Sequence, residues 1–406
     1  MNYLIKSLNH QGKGITRINN KVTFVDNALP NEIVEINISK ETKKYIEAKV
    51  KKYEKKSQER TQEKCPYYNN CGGCDIMHMN YKTQLEFKKN KVKEIINKFT
   101  KENVLINEII YKEQFNYRNK ATFHVKEKIG FYKEKSYEII EIDKCLISSK
   151  KINEILSILK KLELNNIKSI VIRTSNHDNS TMVILDIINN IDENIFINNL
   201  KNNIDSLYTL KDKNYKLIYG NKYITEKLGD LKFIVSPDSF FQVNTNMAYK
   251  LYEKVKEYAK STKEERILDL YCGTGTIGLF LASSCKEVVG VELNKYAIND
   301  ANYNKELNKI QNAKFICGDS GKILKSLKYK PDIIIVDPPR SGLDNLAINQ
   351  IISLNSKKII YVSCDPVTLA RDINILKEKY EIKEITPVDM FPNTQHVECV
   401  CVLNRL

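Results

Sequence analysis

The chain has 406 residues, of which 42% are hydrophobic and 28% charged, with only 14 Gly and 9 Pro. This composition is typical of globular proteins and excludes collagen-like, low-complexity and wholly disordered chains, while the length predicts two or three domains rather than one small binding module. Lys and Arg number 65 against 50 Asp and Glu, so the net charge of +15 favours a polyanionic partner such as nucleic acid.

Neither secretion nor membrane insertion is predicted. Residues 1–8 lack the apolar core of a signal peptide, and no run of about 18 apolar residues occurs. We therefore expect a cytoplasmic monomer that needs no membrane and no obligate protein partner. Ten cysteines in that compartment indicate metal binding or catalysis before disulfides.

The first part of the chain combines β-forming runs with a concentration of positive charge. Residues 1–99 contain 20 basic and 11 acidic side chains, whereas residues 233–406 contain 23 and 21. Short β-forming runs alternate with Gly, Asn and Pro turns, which predicts a small β-barrel over residues 1–54. The Lys- and Glu-rich residues 51–64 are interpreted as a solvated helix or a tether between domains.

Residues 55–230 are expected to form an α+β domain. Apolar residues recur at helical spacing between Asn80 and Phe99, and a second helical pattern extends from Ser149 to Leu162. Strand-like runs occupy residues 121–125, 169–174 and 181–187. We find no internal repeat.

Residues 231–406 alternate apolar strand candidates with helical segments. Such alternation predicts an α/β fold with a doubly wound, mostly parallel sheet. Ligands of these sheets bind outside the carboxyl ends of the strands, so the chemistry should follow each strand directly. The seven strand candidates are residues 267–270, 288–291, 314–316, 333–336, 359–363, 382–388 and 397–403.

The first of these strands leads into a Gly-x-Gly-x-x-Gly turn at residues 273–278. Such glycines let the backbone approach a cofactor at a helix N-terminus, and Glu292, at the end of the next strand, is placed to accept hydrogen bonds from ribose hydroxyls. NAD and S-adenosylmethionine both carry an adenosine ribose. These residues therefore indicate an adenosine cofactor without choosing between the two.

Acidic residues further along distinguish the two cofactors. Asp319 follows the third strand, where it could receive the adenine amino group, and the loop Asp337-Pro338-Pro339-Arg340 follows the fourth. The two prolines stiffen that loop, for which a nicotinamide enzyme has no particular need. Acidic residues after successive strands together with a Pro-Pro loop resemble the class I S-adenosylmethionine-dependent methyltransferases.

Seven short motifs are distributed over the chain: Cys65-Pro66, Cys71-Gly72-Gly73-Cys74, Tyr117-Arg118-Asn119-Lys120, Phe241-Gln242-Val243-Asn244, Asp337-Pro338-Pro339-Arg340, Ser363-Cys364-Asp365-Pro366 and His396-Val397-Glu398. Together they resemble the RNA uracil-C5 methyltransferase family, which makes 5-methyluridine. Residues 12–30 are similar to the family's TRAM domain, an OB-like RNA-binding barrel, so the resemblance extends over nearly the whole chain.

The resemblance implies a covalent mechanism. Cys364 would add as a thiolate to C6 of the uracil ring, which makes C5 nucleophilic enough to take the methyl group. Glu398 would then remove the C5 proton. The residues implied to bind S-adenosylmethionine are Gln242, Tyr271, Gly273, Glu292, Asp319 and Asp337.

Three cysteines, Cys65, Cys71 and Cys74, supply thiolates within one loop, and a tetrahedral site or a cubane cluster needs a fourth ligand. Their spacing alone does not choose between zinc and iron. Cys145 matches the distal ligand of the family. The resemblance therefore implies a [4Fe-4S] cluster, with a structural zinc knuckle as the alternative.

The expected partner is RNA whose target uridine is flipped out, because Cys364 cannot reach C6 within a base stack. The TRAM barrel and the four cysteines favour the 23S ribosomal RNA branch of the family, and a transfer RNA T-loop enzyme is the alternative. A nucleic-acid amino-methyltransferase is disfavoured because Arg340 stands where those enzymes need an aromatic residue. A non-catalytic RNA-binding or folding factor would have lost Cys364 or Glu398.

Overall fold

The computed structural model describes residues 1–319, 321, 323–324 and 330–406. These residues form a six-stranded sheet at the front of the chain, a seven-stranded sheet in the middle, a two-stranded hairpin and an eight-stranded sheet. Within this described part, no helix is long and apolar enough to cross a membrane.

The first sheet is a closed barrel. Its strands are β1 (Asn2–Leu4), β2 (Ser7–Leu8), β3 (Gly14–Ile18), β4 (Lys21–Asp26), β5 (Ile33–Glu41) and β6 (Tyr45–Lys55). The spatial order is β1-β5-β6-β4-β3-β2, so β1 and β2 lie at opposite ends although only Ile5 and Lys6 separate them. The N–H groups of Ile5 and Lys6 donate to the carbonyls of Glu32 and Ile15, each at 2.9 Å. This bent segment therefore joins the two edges of the sheet.

The interpretation of residues 51–64 as a solvated helix or tether is wrong in its first part. Residues 51–55 continue β6, and Arg60 pairs with Glu32 at 2.6 Å in a contact where both side chains are almost fully buried. Arg60 also donates to the carbonyl of Asn27. The Lys- and Glu-rich pattern of residues 51–64 does not predict a buried ion pair, because the partner of Arg60 lies 28 positions earlier in the sequence.

The middle sheet has the order β10-β9-β8-β11-β12-β13-β14, antiparallel except between β12 and β13. Its elements are β8 (Lys120–Val125), β9 (Ile129–Tyr132), β10 (Ile139–Glu141), α2 (Lys150–Leu159), β11 (Ile167–Thr174), β12 (Thr181–Ile187), α3 (Glu193–Leu200), β13 (Ser206–Lys211) and β14 (Asn214–Gly220). One face packs on α2 and α3 around buried residues such as Phe123, Ile170 and Leu207. A hairpin of β15 (Ile224–Leu228) and β16 (Leu231–Val235) follows.

All seven predicted strands of the last sheet are present, and an eighth joins them. The sheet order is β19-β18-β17-β20-β21-β23-β22-β7, parallel from β19 to β21, with β23 antiparallel to both of its neighbours. The strands are β7 (Leu105–Ile106), β17 (Arg266–Leu270), β18 (Glu287–Glu292), β19 (Ala313–Cys317), β20 (Ile333–Val336), β21 (Lys358–Ser363), β22 (Tyr380–Val388) and β23 (Glu398–Arg405). Continuous apolar runs form most of β20 and β21 because helices cover both faces of a parallel sheet.

The helices of this part are α1 (Tyr81–Thr100), α4 (Thr245–Ala259), α5 (Thr276–Ala282), α6 (Lys295–Leu307), α7 (Asn345–Leu354) and α8 (Pro366–Leu376). Helix α1 packs against α8, and β7 pairs with the edge strand β22. Helix α1 and strand β7 both precede residue 231 in the chain. The sheet that carries the predicted chemistry is therefore completed by residues from the segment 55–230.

Candidate active site

The turn from β17 into α5 opens toward empty space. Tyr271, Gly273 and Gly275 all have a positive φ, between 53° and 77°. A Cβ at Gly275 would lie 2.6 Å from the Phe315 ring, whereas a Cβ at Gly273 would meet nothing within 4 Å. Glycine at 275 thus permits close packing, and glycine at 273 leaves an open cradle above the backbone.

The side chain of Asp269 stabilises the turn between β17 and α5. Asp269 is fully buried, and its Oδ2 accepts a 2.9 Å hydrogen bond from the N–H of Gly278. Burial, reinforced by the charge of Asp337, raises the pKa of Asp269 to about 8. Asp269 is not among the site residues predicted from the sequence. A carboxylate inside an otherwise apolar strand was the signal that could have identified it.

Glu292 organises the cofactor end of β18. Its Oε2 accepts from the Gly273 N–H at 3.2 Å, and its Oε1 accepts from the Asn294 N–H at 2.8 Å. The carbonyl of Glu292 accepts from Gly318 at 2.9 Å, which places Asp319 directly beyond the neighbouring strand. Glu292, Gly273 and Asp319 therefore meet at one edge of the sheet.

Four of the six predicted cofactor residues line one cavity, here called the cofactor cavity. Its walls include Gln242, Tyr271, Gly273 and Asp337, with Phe240 at the rim. Phe240 is 68% exposed, an unusual position for a large aromatic side chain. Burial raises the pKa of Asp337 to about 7.

Cys364 and Glu398 are brought together by strand register. β21 and β23 are antiparallel neighbours with Ser363 opposite Cys399, so the next position on each strand holds Cys364 and Glu398. The thiol lies just before α8, whose first turn is capped by Asp365: its Oδ1 accepts from the N–H groups of Val367 at 2.8 Å and of Thr368 at 3.3 Å. Cys364 is thereby held at the carboxyl end of β21.

The two side chains affect each other electrostatically. Burial, then the charges of Glu398 and Asp337, raise the pKa of Cys364 to about 11, while Arg340 acts in the opposite direction. Burial and Asp337 raise the pKa of Glu398 to about 8, and Arg340 again lowers it. Arg340 is thus the cation shared by both groups. Its guanidinium lies 3.4 Å from Nδ1 of His396.

Residues 389–396, the support segment, lead into Glu398 and are held by α1. Lys88 and Asp389 are both fully buried and form an ion pair at 2.5 Å, and the Tyr81 hydroxyl donates to the other oxygen of Asp389 at 2.8 Å. This pair is not among the features predicted from the sequence. Lys88 falls on the apolar stripe of α1 between Leu85 and Val92, and a charge on such a stripe indicates a buried partner.

Asn393 is the second anchor of the support segment. It is fully buried with a φ of 68°, and its N–H donates to the side chain of Gln84 at 3.0 Å. Its side-chain amide exchanges two hydrogen bonds with Gln114, at 2.9 and 3.0 Å. Tyr117 donates to the carbonyl of the preceding Pro392 at 3.0 Å. The approach to Glu398 is therefore fixed by residues from two distant parts of the chain, helix α1 and residues 114–117.

The four predicted metal ligands line a second cavity of about 810 Å³, here called the cysteine cavity. Cys65, Cys71 and Cys74 come from the cysteine loop, residues 65–76, and Cys145 faces them from beyond β10. Among the described residues, no group of three or more His, Cys, Asp or Glu side chains has the geometry of a single-ion site. A mononuclear zinc site would hold its sulfurs about 3.8 Å apart.

Comparison with known proteins identifies the family. Residues 80–406 match the family model described as tRNA (Uracil-5-)-methyltransferase, and residues 2–51 match the TRAM domain. The chain belongs to the tRNA (uracil-5-)-methyltransferase family. An uncharacterized RNA methyltransferase of Staphylococcus aureus (strain MSSA476) is 35% identical over 441 residues, covering 98% of this chain and 97% of that one. Another, of Clostridium acetobutylicum, is 38% identical over 447 residues, covering 99% and 96%.

A solved structure supports the same assignment. The crystal structure of Pyrococcus abyssi tRNA (uracil-54, C5)-methyltransferase in complex with S-adenosyl-L-homocysteine matches with a TM-score of 0.81 and 29% identity, over 99% of this chain and 100% of that one. The predicted fold class, the family and the TRAM domain are confirmed. This member of the tRNA (uracil-5-)-methyltransferase family is an S-adenosylmethionine-dependent RNA methyltransferase.

Proposed function

We propose that the protein methylates C5 of a uridine through a covalent bond between Cys364 and C6 of the base. The observation that carries this proposal is the register of β21 and β23, which places a thiol and a buried carboxyl side by side next to the cofactor cavity. Asp337, which lines that cavity, contributes to the electrostatics of both groups.

In the proposed reaction the Cys364 sulfur forms a bond to C6, and the electron pair of the C5–C6 double bond moves toward C5 and O4. S-adenosylmethionine would supply a methyl group on a sulfonium centre: C5 attacks this methyl carbon, the bond between methyl and sulfur breaks, and S-adenosylhomocysteine leaves. Glu398 then takes the proton from C5, the C5–C6 double bond forms again, and the C6–S bond breaks to release Cys364. Arg340 favours the anionic forms of both side chains.

The elevated pKa of Glu398 suits a proton acceptor. A general base works best when its pKa lies near the working pH, and burial brings that of Glu398 to about 8. An ordinary exposed carboxylate would hold its proton too weakly to take one from carbon. Burial of Glu398 also keeps bulk water away from the position where the adduct is resolved.

Two substitutions test the mechanism. Cys364→Ala should abolish formation of 5-methyluridine, whereas Cys285→Ala, at a buried cysteine packed behind α5, should retain it. The Glu398→Gln protein should transfer the methyl group to the RNA but release the methylated RNA slowly, so that a covalent protein–RNA adduct survives denaturing electrophoresis. Methylation by the Cys364→Ala protein, or rapid turnover by Glu398→Gln, would refute the assigned roles.

We propose that the cofactor is held by Gln242, Tyr271, Gly273, Glu292, Asp319 and Asp337. The space above Gly273, where a Cβ would meet nothing within 4 Å, and the cavity lined by Gln242, Tyr271, Gly273 and Asp337 support this proposal. Glu292 would accept from the ribose hydroxyls and Asp319 from the adenine amino group. Calorimetry with S-adenosylhomocysteine should show weaker binding to Glu292→Gln than to Glu306→Gln, a change on the exposed side of α6. Equal affinities would count against Glu292.

We propose a uridine of 23S ribosomal RNA as the target, since the TRAM barrel and the four cysteines resemble that branch. The second candidate is a uridine of the transfer RNA T loop. The tRNA (uracil-54, C5)-methyltransferase of Pyrococcus abyssi favours it, because that match covers 99% of this chain. Mapping 5-methyluridine in total RNA from a strain that lacks the gene distinguishes the two by the site that is lost.

We also propose that Cys65, Cys71, Cys74 and Cys145 hold a [4Fe-4S] cluster. All four thiols line one cavity of about 810 Å³, which has room for a polynuclear group. Protein purified without oxygen should contain iron and acid-labile sulfide in equal amounts. Stoichiometric zinc without sulfide would instead establish the zinc knuckle.

A further inference from the structure

Residues 236–244, here called the wall segment, connect β16 to α4 and form one side of the cofactor cavity. Phe240, Phe241 and Gln242 of this segment line the cavity. Phe241 is buried and packs against Phe233 with ring centroids 6.2 Å apart, whereas Phe240 is exposed at the rim. The wall segment, all of which the structure describes, forms neither helix nor strand. Its path therefore depends on contacts with neighbouring elements.

Arg173 of β11 holds the wall segment directly before the residues that line the cavity. Its guanidinium donates to the carbonyl of Ser236 at 2.8 Å and to the carbonyl of Ser239. Ser239 immediately precedes Phe240 in the chain. Arg173 is only 4% exposed, and burial lowers its pKa to about 10, so the buried side chain is a cation at neutral pH.

The hydrogen bonds of this buried cation go to the wall segment. Asp238 and Asp300 affect the pKa of Arg173 through their charge and not through a hydrogen bond. Within the described part of the chain, the Nε atom of Arg173 has no partner. Burying a cation without a carboxylate contact is costly, and an apolar side chain can replace a buried charge that serves packing alone. The presence of Arg173 therefore indicates that the path of the wall segment is important.

Asn119 holds the wall segment directly after the residues that line the cavity. Its side-chain amide donates to the carbonyl of Gln242 at 3.1 Å and to the hydroxyl of Thr245 at 2.9 Å. Its backbone N–H donates to the carbonyl of Val243 at 2.8 Å. The Thr245 hydroxyl in turn donates to the buried carboxylate of Glu226 at 2.8 Å. Four hydrogen bonds thus fix the end of the wall segment and the start of α4.

Arg173 and Asn119 are connected to each other through the middle sheet. Strand β8, which begins directly after Asn119, pairs with β11. The N–H of Thr174, the residue after Arg173, donates to the carbonyl of Asn119 at 2.8 Å. The three residues that line the cofactor cavity are therefore held on both sides by one sheet, which belongs to the segment 55–230 and not to the catalytic domain.

We propose that Arg173 and Asn119 are positioning residues for the cofactor, because they hold the wall segment where Gln242 contacts S-adenosylmethionine. Neither residue is among the described residues that line the cofactor cavity, so both act through the wall segment. This inference rests on the proposed cofactor site, of which Gln242 is a member. It extends the structural requirements for cofactor binding into the middle sheet.

Calorimetry with S-adenosylhomocysteine tests the role of Asn119. The Asn119→Ala protein should bind about tenfold more weakly at an unchanged stoichiometry, because the Gln242 carbonyl loses its donor. Asn312→Ala is the matched control. The Asn312 amide also donates to two backbone carbonyls, those of Ala282 and Cys285, but it directly precedes β19 and lies at the amino end of that strand. This control should bind with the affinity of the unmodified protein.

The contact on the other side of the cavity is tested in the same assay. The Arg173→Met protein should also bind about tenfold more weakly. Arg173→Lys retains the cation but lacks the forked guanidinium, so its loss of affinity should be smaller. Arg60→Met is the control, because Arg60 is another almost fully buried arginine and bonds to Glu32 and Asn27 at the front of the chain. Its affinity should be unchanged even where urea unfolding shows a less stable protein.

The stoichiometry separates positioning from folding. A variant that only folds poorly binds less cofactor at an unchanged affinity, and this result for Asn119→Ala would overturn the inference. An unchanged affinity and stoichiometry in Asn119→Ala, or an equal loss in Asn312→Ala, would overturn it as well. Failure of the proposed cofactor site is recognised differently, by normal binding in Glu292→Gln, since Glu292 lies on β18 and not on the wall segment.

Discussion

The backbone N–H of Asp75 donates to the carbonyl oxygen of Asn393 at 3.0 Å, and so joins the cysteine loop to the support segment of Glu398. Ile76 donates to the same oxygen at 3.1 Å, and the Gln395 N–H donates to the Asp75 carboxylate at 3.2 Å. Asp75 directly follows Cys74. Any group that orders the cysteine loop therefore also orders the chain that delivers Glu398.

Asn393→Ala should destabilise the protein by about 3 kcal/mol, because buried partners lose their hydrogen bonds and alanine is strained at a positive φ. Urea unfolding followed by circular dichroism measures this. Asn355→Ala is the matched control, since Asn355 has a φ of 55° but is exposed at the end of α7. It should cost only about 1 kcal/mol. Equal losses in the two variants would contradict a bonding role for Asn393.

Lys88→Met should cost about 3 to 5 kcal/mol, because Asp389 would remain buried without its cation. The double variant Lys88→Met, Asp389→Asn should recover part of this loss by removing the unpaired charge. Lys89→Met removes a neighbouring lysine whose partner, Glu108, is 89% exposed, and should cost less than about 1 kcal/mol. The free energies come from urea unfolding. A double variant no more stable than Lys88→Met would contradict the role of the charge.

The alkylation rate of Cys364 should change in opposite directions in two variants. Arg340→Gln removes the cation that lowers the pKa of this thiol, so iodoacetamide should react more slowly at pH values below about 9. Glu398→Gln removes an anion that raises it, so the reaction should be faster above about pH 8, where Glu398 is ionised. Peptide mass spectrometry follows Cys364 specifically, and the exposed Cys317 is the internal control.

The stability of the cofactor-free protein should fall as the pH rises from about 6.5 to about 8. Asp269, Asp337 and Glu398 have folded-state pKa values raised to about 8, 7 and 8, so each stabilises the fold fully at low pH and loses that contribution as pH approaches the raised value. Burial lowers the pKa of His78 and His396 to about 3 and 4, which matters only below pH 6.5.

Asp269→Asn should therefore flatten the decline by up to about 1.4 kcal/mol per pH unit. Urea midpoints at the two ends of this pH range measure the change. Asp332→Asn is the control, because the pKa of Asp332 is lowered by the Arg266 N–H and by Lys357, so this group is ionised throughout. A slope in Asp269→Asn as steep as in the unmodified protein would show that Asp269 is not the titrating group.

The sequence predicted those parts of the fold whose signals are local. Buried parallel strands of the last sheet, such as β20 and β21, were recognisable because they are continuous apolar runs. Cys364 and Glu398 could be predicted as site residues because each lies in a short motif. Strand β7 was not predictable, since its two residues pair only where α1 has already packed on the sheet.

The supports of the site were not predictable for a different reason. Lys88 and Asp389 are 301 residues apart, and Gln114 and Asn393 are 279 apart. The local sequence around each of these four residues does not specify which distant residue it will contact. Each alone predicts only that a buried polar group needs a hydrogen-bonding partner, and the identity of that partner follows from the packing of α1 and the cysteine loop.

The position of β23 between β21 and β22 has a consequence for synthesis on the ribosome. Residues 398–405 are synthesised after every other strand of the sheet, so β21 and β22 have no strand between them until β23 is made. Strand β7 is synthesised early but can pair only when β22 has been made. Such distant pairings make folding slow. Nascent chains that stop short of β23 expose two unpaired strand edges, so incomplete copies are prone to aggregation.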